Sequence, residues 1–523
     1  MALGTENVAS WNMLHILVPL LVTIWMFWSS RKPQNYPPGP PRLPVIGSLP
    51  YIFPTWPIDV LKMNQFLAGK FGKIMGFYLG GKSVVVVSDY ELIKEVMKKD
   101  ETNCRPSSIP WNLARPGGGQ RWDGRAPGIL LSHGPEWVEQ RRFTLKQLRE
   151  FGFGKSSMED MVNEAVDKLL ESYSQTLNQP MEVNLTVNVS VISALWRIVV
   201  GESFEDLDHP KLRKIVIAID ESLKMNGPLN PVTALLPHPA MSKWPILKHL
   251  TGFSMSTNFV GNVLDLVNPY IEEHVKTFDS NHMRDFLDVY LAHIGSTQDP
   301  SSSFYGSRGM DSLQNVLLEL FVAGTDTTSS SLVWAILLMA HHPQIQDEVY
   351  EELVHVFGQE GRPTLERKDQ VPITNAAILE CFRKTSLGHI LIPHGSLQDF
   401  DLAGYTIPKH SRIVPNAYHI HHDPTYWRDP ESFDPSRFLN SDKSQFVSDE
   451  RVMVFGTGKR YCPGQSLAEK QFFLFFAGLM KRFRFEPVSA ETPLPSFGMN
   501  NGAVTVGLSR NCPDYQVVIR QRQ

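Results

Sequence analysis

The residues best placed to do chemistry are Phe455-Gly-Thr-Gly-Lys-Arg-Tyr-Cys-Pro-Gly464, followed by the helical run Gln465–Phe476. Three glycines around one cysteine make a tight turn. The free N–H groups of that turn and of the helix N-terminus then point toward the sulfur. Such donors favour thiolate over thiol and supply hydrogen bonds to a sulfur that ligates a metal. Arg460, two residues from Cys462, adds a cation to the same pocket. Cys104, Cys381 and Cys512 have no comparable setting and read as structural cysteines. No CxxC pair occurs, which argues against a disulfide framework, a zinc ribbon and an iron–sulfur cluster.

Four further constellations stand on helical runs. Ala323-Gly-Thr-Asp-Thr-Thr328 lies inside the helical run Asp311–Ala340. Four consecutive hydrogen-bonding side chains there compete with the helix backbone and bend it. A polar patch capping a helix end is the bland reading, but apolar stretches continue on both sides (Leu317–Val322 and Leu332–Met339). The cluster is therefore internal, and polar groups facing an interior cavity point to function. Trp137 and Arg141, at i and i+4, share one face and can both donate to carboxylates. Glu380 and Arg383, at i and i+3, can pair; in isolation such a pair is usually a solvated surface feature. Arg142, Lys146 and Arg149 recur on a neighbouring face, as solvated surface or as a docking stripe for an electron donor.

A lone cysteine cannot hold zinc, but it can be the single protein ligand of a haem iron. Here the chain resembles the cytochrome P-450 family. Phe455, Gly458, Arg460, Cys462 and Gly464 match its haem-thiolate loop F-x-x-G-x-R-x-C-x-G. Glu380-Cys-Phe-Arg383 matches E-x-x-R, and Arg437 of Phe433-Asp-Pro-Ser-Arg-Phe438 stands where the family places the third member of that structural lock. Ala323–Thr328 matches A/G-G-x-D/E-T-T, and Trp137–Arg141 matches W-x-x-x-R. The likeness runs from Pro37 to Phe497 and is greatest to the microsomal two-family (clan two) and its animal relatives. Gly134–Lys155, Arg284–Asp288 and Leu402–Pro408 share its character.

The resemblance implies a mostly α (α+β) fold: one large helical domain with small sheets over residues 51–523, holding haem b. Cys462 would be the axial iron ligand. Trp137, Arg141, His394 and Arg460 would hold the propionates, with Phe455, Gly458 and Gly464 shaping the loop. Gly324 would leave room for dioxygen, Thr327 would hold a water or a dioxygen oxygen, and Asp326 would relay protons for O–O cleavage. The implied activity inserts one oxygen atom from O2 into a lipophilic steroid, fatty acid or foreign compound. Electrons would come from NADPH through a flavoprotein reductase, with cytochrome b5 as a second donor. The alternative is a reductase-independent isomerase or peroxygenase acting on lipid hydroperoxides; relatives of that kind tend to lack the acid–alcohol pair that Asp326 and Thr327 form.

The chain departs from the family at several positions. His389 follows Gly388 where a proline is expected, beside the implied substrate pocket. Gly117–Gly119 is unusual, His410 stands where Ile-Pro-Lys is commonly followed by glycine, and Val454 replaces a frequent proline. Pocket walls are expected at Ala126–Leu130, Leu320, Ala323, Ile390–Ile392 and Ala503–Val504, nearly all apolar.

These groups need a large scaffold to position them. The chain has 523 residues, 42% hydrophobic, with no linker past the first fifty, so one enzyme-sized globule is expected. A net charge of -4 leaves no electrostatic footprint for nucleic acid. Helical periodicity runs through Glu91–Lys99, Glu136–Glu150, Met158–Asn178, Pro343–Phe357 and Ala376–Thr385, while Gly76–Asp89 reads as a hairpin turning at Gly80-Gly81. The loop Ala114–Gly128 is glycine-rich and of the kind that lids a site. Apolar patches at Leu235–Pro239 and Trp244–Leu247 read either as a face that dips into a bilayer or as a buried core turn.

Residues 11–28 are almost wholly apolar and, at 1.5 Å per residue, would span about 27 Å, enough for the thin bilayer of the endoplasmic reticulum. A cleavable signal peptide wants a basic start, whereas MALGTENVAS carries Glu6 and no Lys or Arg. Arg31 and Lys32 after the span predict an uncleaved single-pass anchor with the globule in the cytosol. The proline-rich stretch within residues 31–50 then reads as a stiff spacer. On this topology the sequons at Asn184 and Asn188 go unused.

Overall fold

The computed structural model describes residues 17–522. Excepted are 53–59, 107–113, 118–126, 151–155, 226–243, 251–252, 498–504, 507–508 and the single positions 25, 27, 29, 203, 205, 206 and 208. The continuous β-branched run Val84–Val87 suits a strand covered on both faces. It lies in β2 (Lys82–Val87), antiparallel to β1 (Ile74–Leu79) across the Gly80-Gly81 turn, as the hairpin reading expected. β3 (His394–Gly395) and β4 (Arg412–Pro415) complete the sheet in the order β1-β2-β4-β3, with β4 parallel to β2 and Val85 opposite Ile413.

The stiff stretch after the N-terminal segment is not a free spacer. Tyr36 Oη lies 2.9 Å from Ser83 Oγ and donates to the carbonyls of Phe77 and Val84. A Cβ on Gly39 would meet Gly76 O at 2.1 Å, so the segment lies flush against β1. His410 takes φ +64°, the left-handed region that glycine tolerates best, which accounts for the glycine expected there.

The helices that carry the site form where their periodicity falls. They are α1 (Tyr90–Lys98), α2 (Pro135–Glu150), α3 (Ser156–Ser174), α4 (Asn184–Val200), α5 (Gly306–His341), α6 (Pro343–Phe357), α7 (Pro372–Thr385) and α8 (Gln465–Arg482). Asp89 caps α1 by accepting from Leu92 N–H, satisfying a donor that the first turn leaves open. Proline at the first position starts both α6 and α7, where its missing N–H costs nothing. α5 has 36 residues, most of them buried, and packs along α4; Trp196 stacks on Phe321 with centroids 4.7 Å apart. Asn188 of α4 accepts from Ser329 of α5, so this sequon side chain is spent inside the helix pair.

Among the described residues, no helix is long and apolar enough to cross a membrane. Residues 11–16 of the expected anchor lie outside the described residues, while 17–24 are helical and expose Leu17, Val18, Leu20, Leu21, Val22 and Ile24. Residues 235–239 are also outside them; Trp244 and Ile246 are exposed rather than folded into the core.

Candidate active site

The cysteine loop is shaped by glycine where the backbone requires it. Gly458 has φ +72°, and a Cβ there would sit 2.1 Å from Met97 O at the end of α1. Gly456 also takes a left-handed φ of +70°. Cys462 N–H donates to Phe455 O at 2.9 Å, closing the loop, and the Phe455 ring meets Phe382 of α7 edge-on. The sequence reading expected these glycines and the helix start to favour thiolate. Burial instead pushes the Cys462 thiol up, against the opposing pull of the Gly464 and Gln465 N–H groups and of Arg141. Desolvation outweighs the backbone donors. A thiol held up by burial in this way would lose its proton on coordinating a metal cation.

Beside this loop lies a cluster of buried cations. Arg141 of α2 donates to Tyr461 O at 2.6 Å. Arg460 spends Nε and Nη2 on Asn103, each at 2.9 Å, and its Nη1 is buried with no partner. Arg105 donates to Leu130 O and to the carbonyls of Ile392 and Pro393, the last two at 2.6 and 3.0 Å. Burial, with mutual repulsion, holds Arg105 down to about 9 and Arg460 to about 8. Among the described residues, no ion pair joins any of the three to a carboxylate. His394 completes the group. Its Nδ1 lies 2.7 Å from Thr102 O and so carries the proton, leaving Nε2 buried and unpartnered. Burial and the guanidiniums of Arg105 and Arg460 keep the ring neutral. An unbalanced cluster with two orphaned nitrogens fits the two carboxylates of haem b: each anion would restore charge balance and draw a proton onto His394.

Two residues sit differently from expectation. Trp137 does not offer its indole N–H to a carboxylate; Nε1 donates to Ile129 O at 3.1 Å. Its ring instead carries the Arg460 guanidinium on one face, 3.6 Å from the centroid. Gly324 does not clear space on the cavity side: a Cβ would lie 2.8 Å from Leu195 Cδ2, so the glycine admits α4.

In α5 the polar cluster is interior. Asp326 is 4% exposed and Thr325 1%, whereas Ala323 and Thr327, one turn apart, are open although the helix around them is buried. Thr327 Oγ1 donates to Ala323 O at 2.7 Å, the back-bond that bends a helix and leaves the hydroxyl lone pairs facing outward. Glu319 extends this stripe one turn further. It accepts from Arg115 Nη2 at 2.6 Å and from the N–H groups of Ile129, Leu130 and Leu131 at 2.5, 2.9 and 3.4 Å. Arg115, in the described part of the predicted lid, and Ile129–Leu131 just past it are therefore strapped to α5. Residues 118–126 and the expected wall at Ala503–Val504 lie outside the described residues.

The Glu380–Arg383 pair is fully buried rather than solvated. Arg383 binds both carboxylate oxygens at 2.7 Å and the carbonyls of His421, Pro430 and Ser432 at 2.8 to 3.0 Å. Arg437 Nε is 3.5 Å from Glu380 Oε1, an ion-pair distance without a hydrogen bond; its other nitrogens donate to the carbonyls of Arg428 and Asp429. This lock fixes the chain ahead of the cysteine loop.

His389 is fully buried with both ring nitrogens unpartnered, and burial pushes it down to about 3, so it is a neutral ring in the core. Arg105, Arg115 and Glu319 escaped the sequence reading because single charges in loops or helices carry no periodic signal. Only their joint burial marks them.

A family model described as Cytochrome P450 matches residues 37–512. The chain is 33% identical over 503 residues to cytochrome P450 2J2 of Homo sapiens, covering 94% of each. It is 31% identical over 498 residues to cytochrome P450 18a1 of Drosophila melanogaster, covering 92% of this chain and 88% of the relative. It is also 28% identical over 520 residues to farnesoate epoxidase of Bombyx mori, covering 97% and 98%. Members of this family bind haem b through a cysteine thiolate, the group that the buried cation cluster and the cysteine loop fit. From Arg105 to Asn511 the match spans the site just described, and the chain belongs to the cytochrome P450 family of monooxygenases.

Proposed function

We propose that this chain inserts one atom of dioxygen into a lipophilic small molecule, drawing electrons from NADPH through a flavoprotein reductase. The observation that carries this reading is the opening of α5 at Ala323 and Thr327 with Asp326 buried between them. Cys462 would hold the haem iron, and Arg105, Arg141, Arg460 and His394 would hold the haem carboxylates; the group would supply dioxygen binding and electron storage. Thr327, its proton committed to Ala323 O, accepts a hydrogen bond from a water in the cavity and holds that water still. Asp326 keeps a proton out of bulk solvent and passes it on through that water. Ile390 and Leu391, with the half-buried Leu320 and Ile392, offer a substrate apolar surface, in keeping with a relative named for acting on farnesoate. The apolar N-terminus anchors the protein in the endoplasmic reticulum, and the catalytic body faces the cytosol.

The test is product formation by mass spectrometry, using the purified enzyme with reductase and NADPH and carbon monoxide as inhibitor. The panel holds steroids, polyunsaturated fatty acids and foreign lipophiles. Products one oxygen heavier and lost with carbon monoxide are expected. Products formed only from hydroperoxides, without reductase, would overturn the reading.

A further inference from the structure

We infer that His274 is a doubly protonated latch that joins the end of the helix Phe253–Thr277 to the start of the helix Phe286–Ser296, and that it opens as pH rises. His274 is buried in the last turn of the first helix. Its Nδ1 lies 2.7 Å from Tyr270 O, and its Nε2 lies 2.8 Å from Asp285 Oδ2. Both partners are acceptors. A neutral imidazole has one N–H, so either tautomer would turn a lone pair toward an oxygen. Two protons satisfy both contacts, and a cation at a helix C-terminus also suits the helix dipole. Burial and Arg284 work against that charge. The Asp285 carboxylate and the Tyr270 carbonyl outweigh them and hold the ring above its ordinary 6.5.

Asp285 ties the latch to three helices. Its Oδ1 caps the second helix by accepting from Asp288 N–H at 3.1 Å, while Oδ2 takes His274. A Cβ on Gly201, just past α4, would stand 3.0 Å from the same Oδ2, so the end of α4 abuts it. Asp288 is committed to Arg284, which donates to it from Nε and Nη2 at 2.6 and 2.8 Å. His274, Asp285 and Asp288 thus cluster as metal ligands would, but a proton bridges the first two and Arg284 covers the third. Among the described residues, the other charged groups of these segments, Glu202, Glu272, Glu273, Lys276, Asp279 and His282, are exposed. The helix Pro210–Met225, packed alongside, keeps Arg213 and Lys214 exposed as well. The helix Phe253–Thr277 meets α5 through the neutral pair Asn268 and Gln314, 2.8 Å apart. When His274 loses its second proton, one of its two contacts turns repulsive, and the end of a helix that packs on α5 is released.

Hydrogen exchange of the full-length haem-loaded enzyme reads the latch as protection of residues 253–290, corrected for the chemical exchange rate at each pH. The parent is expected to lose about tenfold in protection there between about pH 6 and about pH 9, the worth of one hydrogen bond to a charged group. A group held above its ordinary value stabilises fully below about pH 6.5 and loses that stabilisation as pH rises through its folded value. His274→Gln cannot carry the second proton and should show the alkaline level of protection throughout. Asp285→Asn keeps the helix cap, and its carboxamide can donate to a neutral ring, so protection should hold to the alkaline end. Equal protection of the parent at both ends overturns the inference, and so does a loss in Asp285→Asn that follows the parent's. A merely structural contact would lower protection in His274→Gln by the same factor at every pH, and that result overturns it too. Where His274→Gln does not fold, Asp285→Asn against the parent decides.

Discussion

The guanidinium carbon of Arg460 stands 3.6 Å from the centroid of the Trp137 ring, while the indole N–H of the same tryptophan is committed to Ile129 O. A buried cation over an indole face is worth about 2 kcal/mol when desolvated. Trp137→Phe keeps a ring under Arg460 and loses only the Ile129 bond; Trp137→Ala loses both. Haem retention against an apo-myoglobin acceptor should therefore fall modestly in the first and by tenfold or more in the second. Equal loss in the two would show that the indole N–H, and not the ring face, matters.

Arg383, its side chain fully buried, makes two bonds to Glu380 and three to backbone carbonyls. A lysine can satisfy only part of that fork. Arg383→Lys should cost about 3–5 kcal/mol, as for a broken buried pair. Arg437→Ala, whose Nε makes no hydrogen bond to Glu380, should cost about 1–2 kcal/mol. Denaturant midpoints for the two variants check the order; a larger loss at Arg437 would reverse it.

His421 is neutral: Nε2 accepts Met453 N–H at 3.0 Å and Nδ1 donates to Ser386 Oγ at 2.8 Å. Burial and Arg383 hold its pKa at about 3, against 6.5 for an ordinary histidine. Between those values the unfolded chain binds a proton that the folded chain refuses. The stabilisation is complete above about pH 6.5 and is lost as pH falls toward 3, at up to ~1.4 kcal/mol per pH unit. His389, also at about 3, adds a dependence of the same sign. His421→Gln should make thermal stability fall less steeply below pH 6.5, and an unchanged slope would count against this assignment.

Gly324 faces Leu195 rather than the cavity. Gly324→Ala should therefore destabilise by about 1–3 kcal/mol through overpacking. Leu195→Ala in the same chain should recover part of that loss, a coupling expected only of residues in contact. Purely additive unfolding free energies would place the glycine elsewhere.

Arg142, Lys146 and Arg149 are exposed on α2, and Lys146 lies 3.8 Å from Glu150. If they dock the reductase, Lys146→Glu with Arg149→Glu should lower reductase-driven turnover several-fold at low ionic strength, and added salt should narrow the difference. Kinetics that match the parent at every ionic strength would remove the docking role.

Much of this was legible in the sequence. The hairpin, α1, α2, α5, α6, α7 and the cysteine loop all follow from local pattern: a β-branched run, 3.6-residue periodicity, or glycines that must take left-handed backbone. Other groups were visible but misplaced. Trp137 and Gly324 sit where expected, yet their partners, Ile129 and Leu195, come from a loop and another helix. The cysteine loop is read correctly as a turn, but whether its sulfur is thiol or thiolate depends on burial, which no local motif reports.

By itself the sequence determined the setting of Cys462, the adjacent Asp326 and Thr327 within a long helix, and Glu380 with Arg383 on one helical face, because each is a matter of spacing along one element. Only the tertiary structure decided the balance of charge. Arg105, Arg141 and Arg460 come from three separate segments and become a cation cluster only when buried together; Glu319 becomes a strap only when Arg115 and Ile129–Leu131 fold over it. Electrostatic energy depends on distance and desolvation through space, and neither is written in the order of residues along a chain.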